Sequence, residues 1–204
     1  MASPVAKRIL DITVSGVAII VLSPFFLLIA LIIVLSSPGG AFFVQGRLGL
    51  NGSVFSMIKF RTMIKNAEKT GTGLYSFDDD PRITRVGRWL RLTSLDELPQ
   101  LFNVLRGDMS IVGPRPPVTY ELGDFSTFTG ALLRRFELKP GITGLAQVSG
   151  RNDLEWDSKI IFDNEYIDKY RRLGISYDLY LIARTALIVL SMGSVVEKRN
   201  DESL

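Results

Sequence analysis

The chain has 204 residues, 47% of them apolar, with a formal net charge of +3 and a pI near 9.2. That length suits one domain, or one domain plus an appended element, and so small a positive surplus does not argue for nucleic acid as a partner. With no cysteine and no histidine, disulfides, thiolate chemistry and imidazole catalysis are excluded; attack or proton transfer falls to Asp, Glu, Lys, Tyr, Ser or Thr, and any metal is a hard, oxygen-liganded cation such as Mg²⁺.

The first predicted element is an uncharged run of 24 residues, Ile12 to Leu35. As a helix it would reach about 36 Å, more than a bilayer core of about 30 Å. Lys7-Arg8 ahead of it resembles the start of a signal peptide, but the run is too long for one and ends in no convincing cleavage pattern, so it is expected to be retained. Ser23-Pro24 lies near its midpoint, where proline deletes a helical hydrogen bond and permits a kink, and serine can satisfy the backbone so freed. Basic residues flank both ends, Lys7 and Arg8 before and Arg47 and Lys59 after, so the positive-inside rule gives no direction. A kinked span and a helix that bends and leaves by its entry face both fit. Physics alone favours the span.

Two apolar-rich runs follow, residues 41–45 and 54–60, joined by a glycine-rich turn ending in Asn51-Gly52, and together they predict a β-hairpin. Alternation along the second run puts Lys59 and Arg61 on one side and Ile58 and Phe60 on the other. Residues 64–81 read as a polar loop, and the Asp78-Asp79-Asp80 run as its hydrated end rather than a cation site. Arg82, Arg85, Arg88 and Arg91 recur every third residue among apolar neighbours, predicting an amphipathic helix with a basic stripe suited to a lipid interface, Trp89 included.

The stretch Ser94-Leu95-Asp96-Glu97-Leu98-Pro99-Gln100-Leu101 sets two adjacent carboxylates among apolar residues, and these are the catalytic candidates. A plainer reading is a capping box, with Ser94 capping a helix and Glu97 reaching back to it. Pro99 sits badly with that, since it removes an N–H and disfavours helical geometry at Leu98. A helix through residues 102–106 should stop at Gly107. Next, Gly113-Pro114-Arg115-Pro116-Pro117 holds one arginine in a stiffened, extended backbone, a way to aim a guanidinium at a phosphate, although by itself the stretch reads more simply as a structural Pro-rich turn with an incidental arginine. The run from Lys139 to Asn152 is punctuated by glycines and could bring backbone N–H groups and Arg151 to an anion, or serve only tight turns. Residues 154–172 read as a polar helix whose Trp156, Tyr166 and Tyr170 face solvent. Leu179 to Val196 is long enough to span but carries Arg184, which would cost about 2.5 to 3.5 kcal/mol at the bilayer centre. A helix lying against the bilayer or the domain is expected there, with a disordered tail beyond Glu197.

Lys7-Arg8 with Asp11, Ser23-Pro24, Lys59-Phe60-Arg61-Thr62-Met63, Ser94 through Gln100, Gly113-Pro114-Arg115-Pro116, and Lys139-Pro140-Gly141-Ile142-Thr143-Gly144 with Gln147 and Gly150-Arg151 recur in a specific order and spacing. Together they resemble the monotopic phosphoglycosyl transferases, bacterial sugar transferases that begin glycan assembly on polyprenol phosphate. The resemblance covers nearly the whole chain, in what looks like the minimal catalytic form. It implies a mostly helical α+β protein, monotopic in the membrane, with an N-terminal re-entrant helix-break-helix, a small β-hairpin and interfacial amphipathic helices. The divisions it suggests are a re-entrant membrane helix over 1–38, a cytoplasmic catalytic domain over 39–196 and a tail over 197–204. It replaces the span with a helix turned back at Ser23-Pro24, both ends on the cytoplasmic face of the bacterial inner membrane.

The same resemblance implies that Asp96 is a nucleophile and Glu97 its partner, with Mg²⁺ bound at the pair. A UDP-sugar would give its phosphosugar to polyprenol phosphate, undecaprenyl phosphate in bacteria, by way of an aspartyl-phosphosugar intermediate, and release UMP. Lys59, Arg61, Arg115 and Arg151 are expected to converge on the phosphates, with Arg88 a further candidate. The bilayer is an expected partner, nucleic acid is not, and a homo-oligomer is left open. Two other readings stand beside this one: a non-catalytic membrane-anchored binder of lipid or nucleotide sugar, and a metal-dependent diphosphate hydrolase.

Overall fold

The computed structural model describes residues 3–67, 73, 79–150 and 154–190, which form a mostly helical α+β architecture. Helix α1 (Pro4–Ser36) starts where the Ser3 hydroxyl accepts the N–H of Ala6, with proline in the first turn, a position that needs no backbone donor. It then passes through Pro24 as one helix of 33 residues, where the sequence predicted helix-break-helix. The reason is local. Pro24 cannot donate to the carbonyl of Ile20 four residues back, and Ser23 Oγ donates to that same oxygen instead, at 2.9 Å. Among the described residues α1 alone is long and apolar enough to cross a membrane. Val17, Ile20, Val21, Phe25, Leu27 and Leu28 stand exposed on it, an apolar surface larger than water-facing proteins carry.

Both ends of α1 are tied to the rest of the chain. Arg8 donates to the carbonyls of Val104 and Leu105 at 2.6 and 2.8 Å, satisfying the C-terminal end of helix α3 (Gln100–Arg106) as a cation should. Asp11 accepts from Ser110 Oγ and the Ile111 N–H, both at 2.9 Å. Lys7 Nζ reaches Asp178 at 2.7 Å and the Val112 carbonyl at 2.9 Å. At the far end, Arg61 donates to the carbonyls of Ser37 and Pro38 at 2.8 and 2.6 Å and to the Ser37 hydroxyl at 3.0 Å. The basic flanks are thus structural ties as well as surface charge.

Strands β1 (Phe42–Leu48) and β2 (Val54–Phe60) form the expected hairpin, in a register that pairs Phe42 with Phe60 and Leu48 with Val54. Asn103 of α3 locks it in place, accepting from the Ile58 N–H at 3.0 Å and donating to the Ser56 carbonyl at 2.8 Å. A second, two-stranded parallel sheet joins β3 (Ser110–Val112) to β4 (Gly141–Thr143). Here Gly113 and Gly141 serve close approach: a Cβ on Gly113 would lie 2.3 Å from the Lys139 carbonyl oxygen, and one on Gly141 2.0 Å from the Gly113 nitrogen. Their N–H groups go to the Thr143 and Pro114 carbonyls, so these two are not donors for an anion.

The core gathers Phe60, Leu90, Val104, Met109, Val112 and Ile167 between the sheets and helices α2 (Arg85–Leu92), α3, α6 (Trp156–Leu173) and α7 (Ile175–Leu190). The expected solvent-facing α6 is corrected here. Tyr166 and Tyr170 are buried, because residues 163, 166, 167 and 170 make one inward stripe at helical spacing. Tyr166 donates its hydroxyl to Asp178 at 2.8 Å and stacks against Tyr170. Helix α7 lies against the domain through Tyr177, Asp178 and Leu181 while Leu187 and Leu190 are exposed. Helices α4 (Gly130–Arg134) and α5 (Leu145–Ser149) complete the frame; the tail from 197 lies outside the described residues.

Asp178→Ala leaves the Lys7 ammonium among buried groups with no counter-charge, which should cost about 3 to 5 kcal/mol of stability. Lys7→Met with Asp178→Leu should recover most of that loss. Denaturant unfolding in detergent checks it, and equal losses in the single and double variants would contradict the pairing.

Candidate active site

Helix α2 is capped at its C-terminal end by Thr93, and the chain turns at Ser94, whose φ of 58° lies in the left-handed region. Serine holds that conformation at a cost of roughly 1 kcal/mol or more, and such strain gathers where a side chain must be aimed. A single 3₁₀ turn, Leu95–Glu97, follows, and Pro99 opens α3 at a helix start, where its missing N–H does no harm. The capping box is absent. Ser94 makes no side-chain cap bond, and Glu97 reaches across to two cations instead.

Those cations come from the ends of two different strands. Lys59, on β2, places Nζ 2.7 Å from Glu97 Oε1, and Arg115, three residues past β3, places Nη1 3.4 Å from the same oxygen. Asp96 is buried at 9% exposure. Burial raises its pKa and the negative charge of Glu97 adds to the rise, while Lys59, Arg91 and Arg115 oppose it, leaving the carboxyl at about 6. Burial also raises Glu97, but the charges and hydrogen bonds of Lys59 and Arg115 outweigh it and hold the carboxyl near 2. Burial likewise lowers Lys59 against the pull of Glu97. Two neighbouring carboxyls are therefore pushed apart, one committed to its cations and the other basic, an arrangement typical of acid–base or nucleophilic pairs.

Beside the cations lies a small cleft lined by Arg47, Lys59, Arg115 and Gln100 over Met57. Its three cations suit a phosphate group at its mouth. Arg47, Met57 and Lys59 share one face because the hairpin register pairs Arg47 with Phe55 and Lys59 with Phe43, so odd-numbered positions of both strands point the same way.

Of the sequence-predicted residues, Asp96, Glu97, Lys59 and Arg115 are brought together. Arg61 is not: β2 ends at Phe60, and Arg61 turns to the carbonyls of Ser37 and Pro38 just past α1. Arg88 forms an exposed ion pair with Asp79 at 3.2 Å, away from the acids. Arg82 lies outside α2, which begins at Arg85, and is buried against Asp80 at 2.7 Å, so the basic stripe divides among separate tasks. Arg151 lies outside the described residues, as does Asp78. Reading the sequence missed Arg47, Arg91 and Gln100 as site residues. Arg47 could have been found by extending the first strand to Leu48.

No cluster of three or more metal-ligating side chains occurs among the described residues. The Asp96–Glu97 pair fits Mg²⁺ only in the manner of nucleotide sites, one or two carboxylates with substrate phosphates completing the shell. Both ion pairs of Glu97 use Oε1, which is compatible with that.

Residues 2–192 match the family model for bacterial sugar transferases. Similar proteins include the exopolysaccharide production protein ExoY of Sinorhizobium fredii, 40% identical over 205 residues that cover 93% of this chain and 88% of that one. The UDP-glucose:undecaprenyl-phosphate glucose-1-phosphate transferase of Caulobacter vibrioides is 41% identical over 196 residues, 94% of this chain and 72% of that one. The undecaprenyl-phosphate galactose phosphotransferase of Salmonella typhimurium is 41% identical over 199 residues, 90% of this chain but 40% of that longer protein.

The two acids make opposite contributions to stability. Asp96, raised from 3.8 to about 6, contributes fully below pH 3.8 and loses its contribution as the pH rises through about 6. Glu97, lowered from 4.5 to about 2, contributes above pH 4.5 and loses that as the pH falls through about 2. Asp96→Asn, neutral throughout, should therefore unfold at a higher temperature than wild type at pH 7 to 8, with the advantage gone near pH 4. A difference that does not change with pH would contradict the assignment.

Proposed function

We propose a reaction that proceeds from one fact: the chain belongs to the bacterial sugar transferase family. It is a sugar-phosphate transferase, and it moves a phosphosugar to a polyprenol phosphate, undecaprenyl phosphate by the names of its relatives. The donor in this reading is a UDP-sugar, supported by a relative whose own name specifies UDP-glucose. The observation that carries the reading is the buried, basic Asp96 beside a Glu97 already held by Lys59 and Arg115.

A carboxylate oxygen of Asp96 attacks the sugar-bearing β-phosphorus of the donor. The bond from that phosphorus to the oxygen shared with the α-phosphate breaks, and UMP leaves with the electron pair. The sugar phosphate is then joined to Asp96 as an acyl phosphate. An oxygen of polyprenol phosphate attacks the same phosphorus, the bond to Asp96 breaks, and the carboxylate is restored with the sugar on a polyprenol diphosphate. Splitting the transfer this way means the two anionic substrates need never meet. An anionic nucleophile meets an anionic diphosphate only if cations lie around both, the role given to Lys59, Arg115 and Arg47, with Arg151 kept as a candidate. Asp96 and Glu97 would hold Mg²⁺, which would supply further charge neutralisation for the donor's diphosphate. Glu97 anchors the two cation arms, and its charge keeps Asp96 basic.

The lipid phosphate sits at the headgroup plane, so the site belongs at that boundary, on the cytoplasmic face of the inner membrane where nucleotide sugars are found. A bend in α1 would bring both its ends to that face. Arg8 bonds Val104 and Phe26 packs on Phe102 with ring centroids 5.9 Å apart, although 18 residues of straight helix measure about 27 Å and Phe102 and Val104 are two residues apart. Those contacts support the bend, with Pro24 between them.

Purified protein in nanodiscs with undecaprenyl phosphate, Mg²⁺ and a panel of UDP-sugars is expected to release UMP with at least one donor. Asp96→Asn should lower turnover by about a thousandfold or more with unfolding still cooperative. Substantial turnover in that variant would reject Asp96 as nucleophile. UMP release at full rate without the lipid would favour a hydrolase, and none with any donor a binding protein.

A further inference from the structure

Arg115 meets Glu97 from a loop whose carbonyls are held from several directions. Lys7 Nζ donates to the Val112 carbonyl at 2.9 Å, Arg135 Nη2 to that of Arg115 at 2.7 Å, Arg47 Nη1 to that of Pro116 at 2.9 Å, and the Leu48 N–H to that of Pro117 at 3.0 Å. Among these donors Arg135 is the most deeply placed. It and Asp163 of α6 are each 1% exposed, and its guanidinium lies about 5 Å from the ring centroids of Phe136 and Trp156. Nε and Nη2 both face Asp163 Oδ2, at 2.9 and 2.7 Å, which leaves the second hydrogen of Nη2 pointing at the Arg115 carbonyl.

Burying an ion pair this completely is a poor route to stability, because desolvation offsets the attraction. What the pair does provide is direction. A guanidinium fixed along one edge by a carboxylate has its remaining hydrogens fixed too, and here one of them holds the backbone of the residue whose side chain meets Glu97. We propose that Arg135, oriented by Asp163, is a positioning residue that sets Arg115 against Glu97 for phosphosugar transfer. The proposal rests on the reaction assigned above, and it adds to the site two residues, neither of which touches Glu97 in the bonds described.

Arg135→Lys tests it, since an ammonium keeps a charge beside Asp163 but cannot reproduce the fork. Labelling by phenylglyoxal, mapped by peptide mass spectrometry, should modify Arg115 several-fold faster in the variant while the exposed Arg88 is unchanged. Turnover per folded molecule should fall about tenfold, in keeping with the sensitivity of catalysis to small displacements. In an Arg115→Gln background the same change should cost less than twofold more, since the two act through one contact. Unchanged Arg115 labelling, or losses that multiply in the double variant, would overturn the proposal and leave Arg135 a core residue only. Asp163→Asn is read by the same labelling where Arg135→Lys does not fold. If the wild type transfers nothing, the assigned reaction falls while the labelling still decides the positioning.

Discussion

The contact on which the site depends is a carboxylate oxygen shared by two cations: Glu97 Oε1 between Lys59 and Arg115. Adjacent acids in a partly buried turn repel one another, and one of them would ordinarily take up a proton. Committing both cations to Glu97 keeps that residue ionised and leaves Asp96 as the basic member. The pair is then asymmetric before any substrate arrives. A site built for two anionic phosphates needs positive charge that does not neutralise the attacking group, and this division of labour supplies it.

The two cation arms are anchored to the two ends of α1. Arg115 follows β3, and Lys7 and Asp11 hold β3 through the Val112 carbonyl, Ser110 Oγ and the Ile111 N–H. Lys59 precedes Arg61 by two residues, and Arg61 grips the carbonyls of Ser37 and Pro38. The long apolar helix thus ties the segments that carry both arms to one element. This gives a physical reason for charged residues immediately before and well after the apolar run. Reading them only as membrane-orientation signals understates them.

Local signals marked Asp96, Glu97, Lys59 and Arg115 as candidates, namely paired acids before a proline, a strand ending in a cation and an arginine set between prolines, and the family resemblance joined them into one site. The hairpin was equally visible from its turn. Arg61 was misplaced because alternation holds only inside a strand, and β2 stops at Phe60. Tyr166 and Tyr170 were misplaced although their stripe has plain helical spacing, since Asp163 within it made the helix read as polar, and only the buried Arg135 explains an acid there. The glycines of the 139–152 run could have served an anion or a tight approach, and the crossing of β3 with β4, a contact between distant segments, decided the matter for Gly141. Arg135 itself gave no local signal. Its partners come from two separate parts of the chain, and no window of sequence contains them.

In the proposed reaction Asp96 carries the phosphosugar between donor and acceptor. Acid-quenched protein, mixed with an active UDP-sugar in the absence of lipid acceptor and digested for peptide mass spectrometry, addresses it directly. A sugar-phosphate mass increment on Asp96 that disappears when polyprenol phosphate is added is the expected result. An increment on another residue, or turnover by a protein that never carries one, would contradict it.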